Sequence, residues 1–204
     1  MKINIIGDGS FGTFLNDLLA PIFDIDKDAD SVILAVPISA YDSVASDNRG
    51  KHLINVCSVQ KPSTDLILKY TPFVTSIHPL FGSRTPAKKR NSIITRTFSS
   101  EQDENGRFAD NERQFLDGFA KISKLALTDQ NGTAFTPDIH DQLMAKTHVA
   151  AVLAAKQMKV FVDRANDIPD EYIPNSFRLM REFVKTLDDM PPGTIESIMA
   201  NPYY

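Results

Sequence analysis

The feature that most constrains the fold is a glycine-rich motif near the start of the chain. Residues 7–12 read GDGSFG, between an apolar run over residues 2–6 and a segment with helical periodicity over residues 10–19. A strand, a G-x-G-x-x-G turn and a helix in this order are typical of the first βαβ unit of a parallel sheet. The first glycine permits the tight turn, the second lets the backbone approach a ligand, and the third lets helix and strand pack closely.

The same motif predicts a dinucleotide site, because the backbone N–H groups at a helix N-terminus bind phosphate. Asp26 lies nineteen positions after Gly7, where an acidic side chain usually holds the adenosine ribose, and it favours NAD without excluding NADP. A solvated acidic loop is the alternative for Asp26. The residues that we expect to contact the cofactor are Gly7, Gly9, Ser10, Phe11, Gly12, Asp26, Val36 and Pro37.

The connection that follows Asp26 is unusually short. The next apolar run begins at Ser31, whereas a crossover between parallel strands needs a dozen or more residues and usually a helix. The sequence therefore predicts either that the second crossover helix is missing or that the second strand is only a stub. In both cases the adenosine side of the pocket is incomplete.

The chain divides into two parts of different pattern. In the first part β-branched runs alternate with helical stretches, which indicates a parallel sheet, and residues 99–111 are predicted to be an exposed polar loop. Residues 138–163 contain neither glycine nor proline, which predicts a long helix that begins at Pro137. We therefore predict an α/β, Rossmann-type dinucleotide-binding domain over 1–132 and a small all-helical domain over 133–204.

Composition excludes several classes of protein. The 204 residues include 22 Lys and Arg against 26 Asp and Glu, for a net charge of −4, and a nucleic-acid-binding protein usually has a basic excess. The one cysteine, Cys57, has no partner for an internal disulfide. The N-terminus lacks a signal-peptide pattern and no apolar run is long enough to span a bilayer. We expect a cytoplasmic protein with a small-molecule substrate, no nucleic-acid or membrane partner and no metal site.

Three further segments follow predicted strands, and we expect them at the same edge of the sheet as the glycine motif. They contain Pro37, Ser58 and His78, and open α/β sheets bind ligands at this edge. An imidazole titrates near neutrality and can take a proton from a substrate alcohol during hydride transfer. His78 is therefore the predicted base, with a packed loop histidine as the alternative. Cys57 is predicted to be a packed residue, because no histidine is evident to pair with it.

Several segments resemble the prephenate dehydrogenases over most of the chain. Besides the glycine motif, the likeness is carried by residues 30–38, 57–59, 76–82, 137–145 and 195–202. Many dehydrogenases share the glycine motif, whereas His-Pro-x-Phe-Gly after a Ser-Val pair is rather specific to this family. The family oxidises prephenate, or the related arogenate, with loss of carbon dioxide on the way to tyrosine.

The resemblance implies roles for individual residues. It makes His78 the acceptor of the proton of the substrate's ring hydroxyl, and Ser58 a hydrogen-bond partner of the same hydroxyl. It implies that an arginine of the helical domain, Arg178 or Arg181, holds a substrate carboxylate, for which a forked guanidinium is well suited. A surface position on an amphipathic helix is the alternative for either arginine. It also implies a homodimer through the C-terminal helices, which the small size of the helical domain favours as well.

The sequence departs from the family pattern at several positions. The family's Ser-Val-Lys appears here as Ser58-Val59-Gln60, and the helical domain is shorter than usual. The histidine that many members carry twelve positions after the His-Asp pair is Val152 here, while His148 lies on the same helix face as His140. We expect His140 and His148 at the substrate, with a buried structural histidine as the alternative. Two other functions stay open: a dehydrogenase for arogenate or another small cyclic acid, and a non-catalytic dinucleotide-binding regulatory protein.

Overall fold

A mostly parallel sheet forms the centre of the molecule. In the computed structural model, which describes residues 1–98, 103 and 106–204, the strands are β1 (Lys2–Ile6), β2 (Asp24–Ile25), β3 (Ser31–Leu34), β4 (His52–Asn55), β5 (Val74–Pro79), β6 (Asn91–Arg96) and β7 (Lys124–Ala126). The seven strands are arranged in the order β2-β1-β3-β4-β5-β6-β7, and every neighbouring pair is parallel except β5 with β6. The predicted Rossmann-type α/β fold is confirmed.

Helices cover both faces of this sheet and continue beyond it. They are α1 (Ser10–Leu19), α2 (Tyr41–Asp47), α3 (Lys61–Leu68), α4 (Arg107–Phe119), α5 (Pro137–Met144), α6 (Ala150–Arg164), α7 (Asn175–Asp188) and α8 (Pro192–Met199). The loop prediction over 99–111 is wrong for residues 107–111, which belong to α4. The part of that prediction on residues 99–102, 104 and 105 lies outside the described residues.

Two apolar layers hold the sheet between its helices. On one face, α1 and α4 pack Leu15 and Phe115 against strand residues such as Ile33. On the other face, α2 and α3 pack Tyr41 and Ile67 against the alternate strand residues. Because helices cover both faces, every residue of β3 and β4 is buried, which explains the continuous apolar run over residues 32–34 of β3.

The short connection after Asp26 combines both predicted alternatives. Strand β2 is a stub of two residues that pairs with Lys2 and Ile3 at the start of β1. Residues 26–30 then cross directly to β3 on the other side of β1, without a helix. The side chain of Asn4 donates to the carbonyl of Lys27 at 3.1 Å, and this bond helps to hold the crossing segment.

The C-terminal part is all-helical, as predicted. The long helix expected over 137–163 forms as α5 and α6, joined by one π-helical segment over Ala145–Val149. Its apolar core is small and contains five buried residues: Val149, Val152, Ala155, Leu187 and Ile198. Within the described residues, no helix combines the length and the apolar character needed to cross a membrane. The domain boundary at residue 132 stays a prediction.

Candidate active site

The glycine motif forms the turn between β1 and α1, and its three glycines meet different steric demands. Gly7 has a φ of 136°, and a Cβ there would lie 2.2 Å from the carbonyl oxygen of Ala35. A Cβ at Gly12 would lie 2.0 Å from the carbonyl oxygen of Gly7. Around Gly9, where α1 begins, there is open space within 4 Å. The first and third glycines therefore allow close backbone packing, and the second leaves room for a ligand.

A cavity of about 230 Å³ opens beside this turn. Its walls are the glycine turn, the ends of β3 and β4, and the N-terminal turn of α8. The predicted site residues that line it are Gly9, Ser10, Phe11, Val36, Pro37 and Ser58. The cavity is smaller than the ~300–1,000 Å³ of typical ligand sites, so it has room for a part of a dinucleotide.

Helix α8 is fixed against the sheet at this cavity. The backbone N–H of Ile38 donates to Ser197 Oγ at 3.3 Å. A Cβ on Gly193 would lie 2.7 Å from Pro37 Cγ, so only glycine fits this approach without a shift. The helical part of the chain therefore supplies one wall of the cavity, which the sequence pattern did not predict.

Asp26, the predicted ribose-binding residue, lies away from this cavity. It follows Ile25, which pairs with Ile3, so it is level with Asn4 and about 7 Å short of the end of β1. Its carboxylate pairs with Lys2 Nζ at 2.7 Å and accepts from the backbone N–H of Asp28 at 3.0 Å. The hydrogen bond from Lys2 lowers the pKa of this carboxyl. The structure therefore does not bring Asp26 to the glycine turn.

His78, the predicted base, belongs to a chain of hydrogen bonds at the carboxyl end of β5. Its Nδ1 lies 2.8 Å from His140 Nε2, and His140 Nδ1 lies 2.7 Å from Asp141 Oδ1. The two carboxylate oxygens of Asp141 accept the backbone N–H groups of Gln60 and Lys61 at 2.8 and 2.7 Å. We call Asp141, His140 and His78 the histidine relay. It connects the start of α5 to both β5 and the start of α3.

The relay is almost completely buried. His140 and Asp141 have no exposed surface and His78 is 2% exposed. His78 Nε2 has no hydrogen-bond partner among the described residues, whereas its Nδ1 is bound to His140. Both nitrogens of His140 have protein partners. The predicted direct binding of substrate by His140 therefore does not fit its position.

His148 reaches the relay from the π-helical segment. Its ring stacks on that of His78 with the centroids 5.8 Å apart and the planes 21° apart. Val152, one turn further on, is buried in the small helical core instead. The structure thus brings His148 and His78 together, as the shared helix face suggested. A π segment at this place fits the general observation that such segments often occur at functional sites.

Burial determines the charge of these rings. It lowers the pKa of His78 well below the usual value, and repulsion from His140 and His148 acts in the same direction. Burial also lowers the pKa of His148, with a further contribution from His140. His78 and His148 are therefore neutral at physiological pH, and a neutral imidazole is the form that can accept a proton.

Ser58 and Cys57 lie on the neighbouring strand end. Asn55 pairs with Ser76, and this register, continued by two residues, places Cys57 opposite His78 and Ser58 just beyond. Cys57 is buried, and burial raises the pKa of its thiol to about 11, which confirms that it is a packed residue. Ser58 is partly exposed and lines the cavity.

The two predicted carboxylate-binding arginines lie elsewhere. Both are on α7 and bind the connection between α6 and α7. Arg178 donates to the carbonyl of Asp170 at 2.8 Å, and Arg181 donates to the Asp170 carboxylate and to the carbonyl of Ala165, both at 2.9 Å. Neither lines the cavity. Within one chain, the structure does not bring them to the histidines.

Asp141 is the site residue whose role the sequence analysis missed. The signal was present at α3, whose first residue follows Gln60 and whose N-terminus has no side-chain cap of its own. The first N–H groups of a helix need acceptors, so a carboxylate from another element had to supply them. In the sequence, Asp141 stands out only as the second residue of the His-Asp pair.

Comparison with known proteins supports the fold. No family model matches this sequence, and no curated protein has a sequence that is detectably similar to it. A protein from Corynebacterium glutamicum, provisionally named a prephenate dehydrogenase, superposes with a TM-score of 0.66 at 15% identity, over 97% of this chain and 73% of the other. Prephenate dehydrogenase from Aquifex aeolicus superposes with a TM-score of 0.51 at 14% identity, over 97% and 77%. The chain shares their fold. At these identities the likeness concerns the fold alone, so a function must be argued from the site.

Proposed function

We propose that this protein is an NAD(P)-dependent dehydrogenase that oxidises prephenate to 4-hydroxyphenylpyruvate, a step of tyrosine biosynthesis. The observation that carries the proposal is the position of His78, which lies at the same sheet edge as the glycine turn and has one nitrogen without a protein partner among the described residues. A neutral imidazole at the same edge of the sheet as a dinucleotide turn is suited to proton transfer that accompanies hydride transfer. The resemblance in sequence and the shared fold favour prephenate among possible alcohols.

The residues of the glycine turn fit a dinucleotide. Gly9 leaves open space at the start of α1, where backbone N–H groups and the helix dipole attract a pyrophosphate. Ser10 and Phe11 would flank the phosphates, and Val36 and Pro37 would line the path toward the nicotinamide. When bound, NAD(P) supplies the hydride acceptor of the reaction.

In the proposed reaction, His78 accepts the proton of the substrate's ring hydroxyl and later returns it. His78 Nε2 takes the proton of the ring hydroxyl as the hydride leaves the same carbon and the C–O bond becomes a carbonyl. Loss of carbon dioxide returns an electron pair to the ring, the ring becomes aromatic, and its oxygen takes the proton back from His78. We propose that Ser58, which lines the cavity, hydrogen-bonds the same oxygen. The overall reaction consequently releases no net proton.

Two alternatives are favoured by specific observations. Arg178 and Arg181 bind the connection between α6 and α7 rather than the site, which favours a small cyclic acid with fewer carboxylates than the two that prephenate and arogenate both have. Asp26 is paired with Lys2 outside the cavity, which favours a non-catalytic protein that binds a dinucleotide weakly. The intact relay opposes the second alternative.

One experiment distinguishes these three candidate functions. Prephenate and arogenate are supplied in turn with NAD or NADP, and NAD(P)H absorbance is followed while NADH affinity is measured by calorimetry. Turnover with prephenate is the expected result, and turnover with arogenate alone would change the substrate. NADH binding without turnover on either acid would favour the regulatory protein. Absence of NADH binding and of turnover would contradict the dehydrogenase proposal altogether.

We also propose a homodimer through the C-terminal helices. The helical part has few core residues of its own, yet it exposes several large apolar side chains: Leu143, Val160, Phe161, Ile168, Tyr172 and Leu179. Light scattering should give twice the chain mass of 22.7 kDa, and a Phe161→Ser, Leu179→Ser variant should be monomeric. A monomeric mass at micromolar concentration of the unaltered protein would contradict this. The cytoplasmic location stays a prediction.

A further inference from the structure

The hydrogen bonds of the histidine relay have a defined direction. A carboxylate can only accept hydrogen bonds, so His140 Nδ1 must carry the hydrogen that bridges to Asp141. The charge of this carboxylate is already stabilised by two backbone N–H groups at the start of α3. A neutral His140 ring is sufficient as the hydrogen-bond donor to this carboxylate. A positive charge on a ring that is fully buried would carry a desolvation cost, which the neutral ring avoids.

The direction then passes to His78. In a neutral His140 whose hydrogen is on Nδ1, Nε2 is an acceptor, and the atom 2.8 Å away is His78 Nδ1. That atom must be the donor. The hydrogen of His78 is consequently on Nδ1 and its lone pair is on Nε2, the nitrogen that has no partner among the described residues.

We propose that Asp141 and His140 are positioning residues that fix the tautomer of His78, so that its Nε2 is ready to accept a proton. The catalytic consequence rests on the proposed function, whereas the tautomer is a property of the protein alone. Neither residue touches the reacting atoms, because His140 is enclosed and Asp141 lies behind it.

Asp141 also positions the second predicted catalytic residue. The backbone N–H that it binds belongs to Gln60, two residues after Ser58. The Gln60 side chain donates to the carbonyl of Cys57 at 2.6 Å and accepts from Thr95 Oγ1 at 2.7 Å. One carboxylate therefore holds both the ring of His78, through His140, and the turn that carries Ser58. A glutamine at position 60 supplies two anchors of this turn.

The tautomer can be measured without cofactor or substrate. The chain has four histidines, so long-range ¹H–¹⁵N spectra of the imidazoles are simple, and His52→Gln, His148→Gln and His140→Gln variants assign them. At a pH where the rings are neutral, we expect the His78 hydrogen on Nδ1. A hydrogen on Nε2 of His78 in the unaltered protein would overturn the proposal, whatever the enzymatic activity.

Variants test the two positioning residues. Asp141→Ala removes the acceptor of His140 Nδ1, so His140 is no longer held in one tautomer and a large fraction of His78 should carry its hydrogen on Nε2. Asp138→Ala removes a partly exposed carboxylate of the same helix; it is the matched control and should leave the tautomer as it was. Should Asp141→Ala fail to fold, His140→Gln is informative, because its side-chain oxygen can still accept from His78 Nδ1 and should keep the tautomer. An unchanged tautomer in folded Asp141→Ala, or a reversed one in His140→Gln, would overturn the proposal.

Kinetics separate this inference from the proposed function. In an active dehydrogenase, Asp141→Ala should lower kcat by about 100-fold with little change in KM, since general base catalysis contributes ~10²–10⁴. Asp138→Ala should leave both unchanged. If the unaltered protein shows the expected tautomer but no turnover, the proposed function fails and the positioning role stands. If it turns over with the opposite tautomer, the positioning role fails and the function stands.

Discussion

Two buried histidines at opposite ends of the same sheet have opposite surroundings. At the amino ends of the strands, His52 Nδ1 lies 3.1 Å from Ser31 Oγ and its Nε2 lies 2.8 Å from Thr75 Oγ1. Thr75 in turn donates to Glu112. At the carboxyl ends, His78 has one nitrogen bound to His140 and the other without a protein partner among the described residues.

The difference lies in which part of the chain supplies the partners. All partners of His52 belong to the sheet and to α4, and the rings of Phe98 and Phe108 cover it at centroid distances of 5.3 and 6.4 Å. The partner of His78 comes from the helical part, which leaves one side of the ring open. Ligands of open α/β sheets bind at the carboxyl ends of strands. Of these two histidines, only His78, at that end, has a ring nitrogen without a partner among the described residues.

Removal of His78 should have the largest effect on activity. We expect His78→Ala to lower kcat by about 10³-fold, because the base for the hydroxyl proton is lost, with NADH affinity nearly unchanged. The measurement is steady-state kinetics together with calorimetry of NADH binding. Loss of NADH binding along with activity would give His78 a structural role and erase its contrast with His52.

Removal of His52 should affect stability rather than chemistry. His52→Leu leaves the buried hydroxyls of Ser31 and Thr75 without their partner, which should lower the free energy of unfolding by about 2–3 kcal/mol. Denaturant titration measures this, and kcat per folded molecule should be unchanged. A drop in kcat comparable to that of His78→Ala would mean that the two ends are not functionally distinct.

The pH dependence of stability should depend strongly on His52. Burial lowers the pKa of His52 from 6.5 to about 3, so between these values the unfolded chain binds more protons than the folded one. The free energy of unfolding should therefore rise with pH across this window, with a limiting slope of about 1.4 kcal/mol per pH unit from this group. His78 and His148 act in the same direction, and Glu112, whose pKa burial raises, acts against it.

The measurement is a series of urea titrations from pH 4 to 7. In His52→Leu the slope should be smaller by up to about 1.4 kcal/mol per pH unit, since one of the buried neutral imidazoles is removed. An equal slope in the variant would show that other groups determine the pH dependence.

The features that could be predicted from the sequence depend on periodicity and on parallel topology, which a single sequence displays. They are the glycine turn, the short strand that begins at Asp24, and the positions of Ser58 and His78 at strand ends. The relay does not, because His78 and His140 are 62 positions apart and Gln60 and Asp141 are 81 positions apart. Such contacts depend on how α5 docks against β5 and α3.

The misplaced candidates have the same origin. Arg178 and Arg181 have the spacing of one helix face, but nothing in α7 alone indicates that this face meets residues 165–170. Asp26 lies at the expected number of positions after Gly7, yet β2, with only two residues, ends before it reaches the carboxyl edge of the sheet. A count along the chain predicts position only where the intervening element has its usual length.

A pair of serines provides the finest test of the contrast between the two ends. Ser31→Ala removes one hydrogen bond to His52 and should lower the free energy of unfolding by about 1 kcal/mol, without a change in kcat/KM. Ser58→Ala should leave stability within about 0.5 kcal/mol and lower kcat/KM by about tenfold, because a hydroxyl that orients the substrate contributes about one hydrogen bond in the transition state. Each variant is the control for the other. An equal loss of stability in both, with no effect of Ser58→Ala on turnover, would mean that the carboxyl end holds its polar groups for the same structural reason as the amino end.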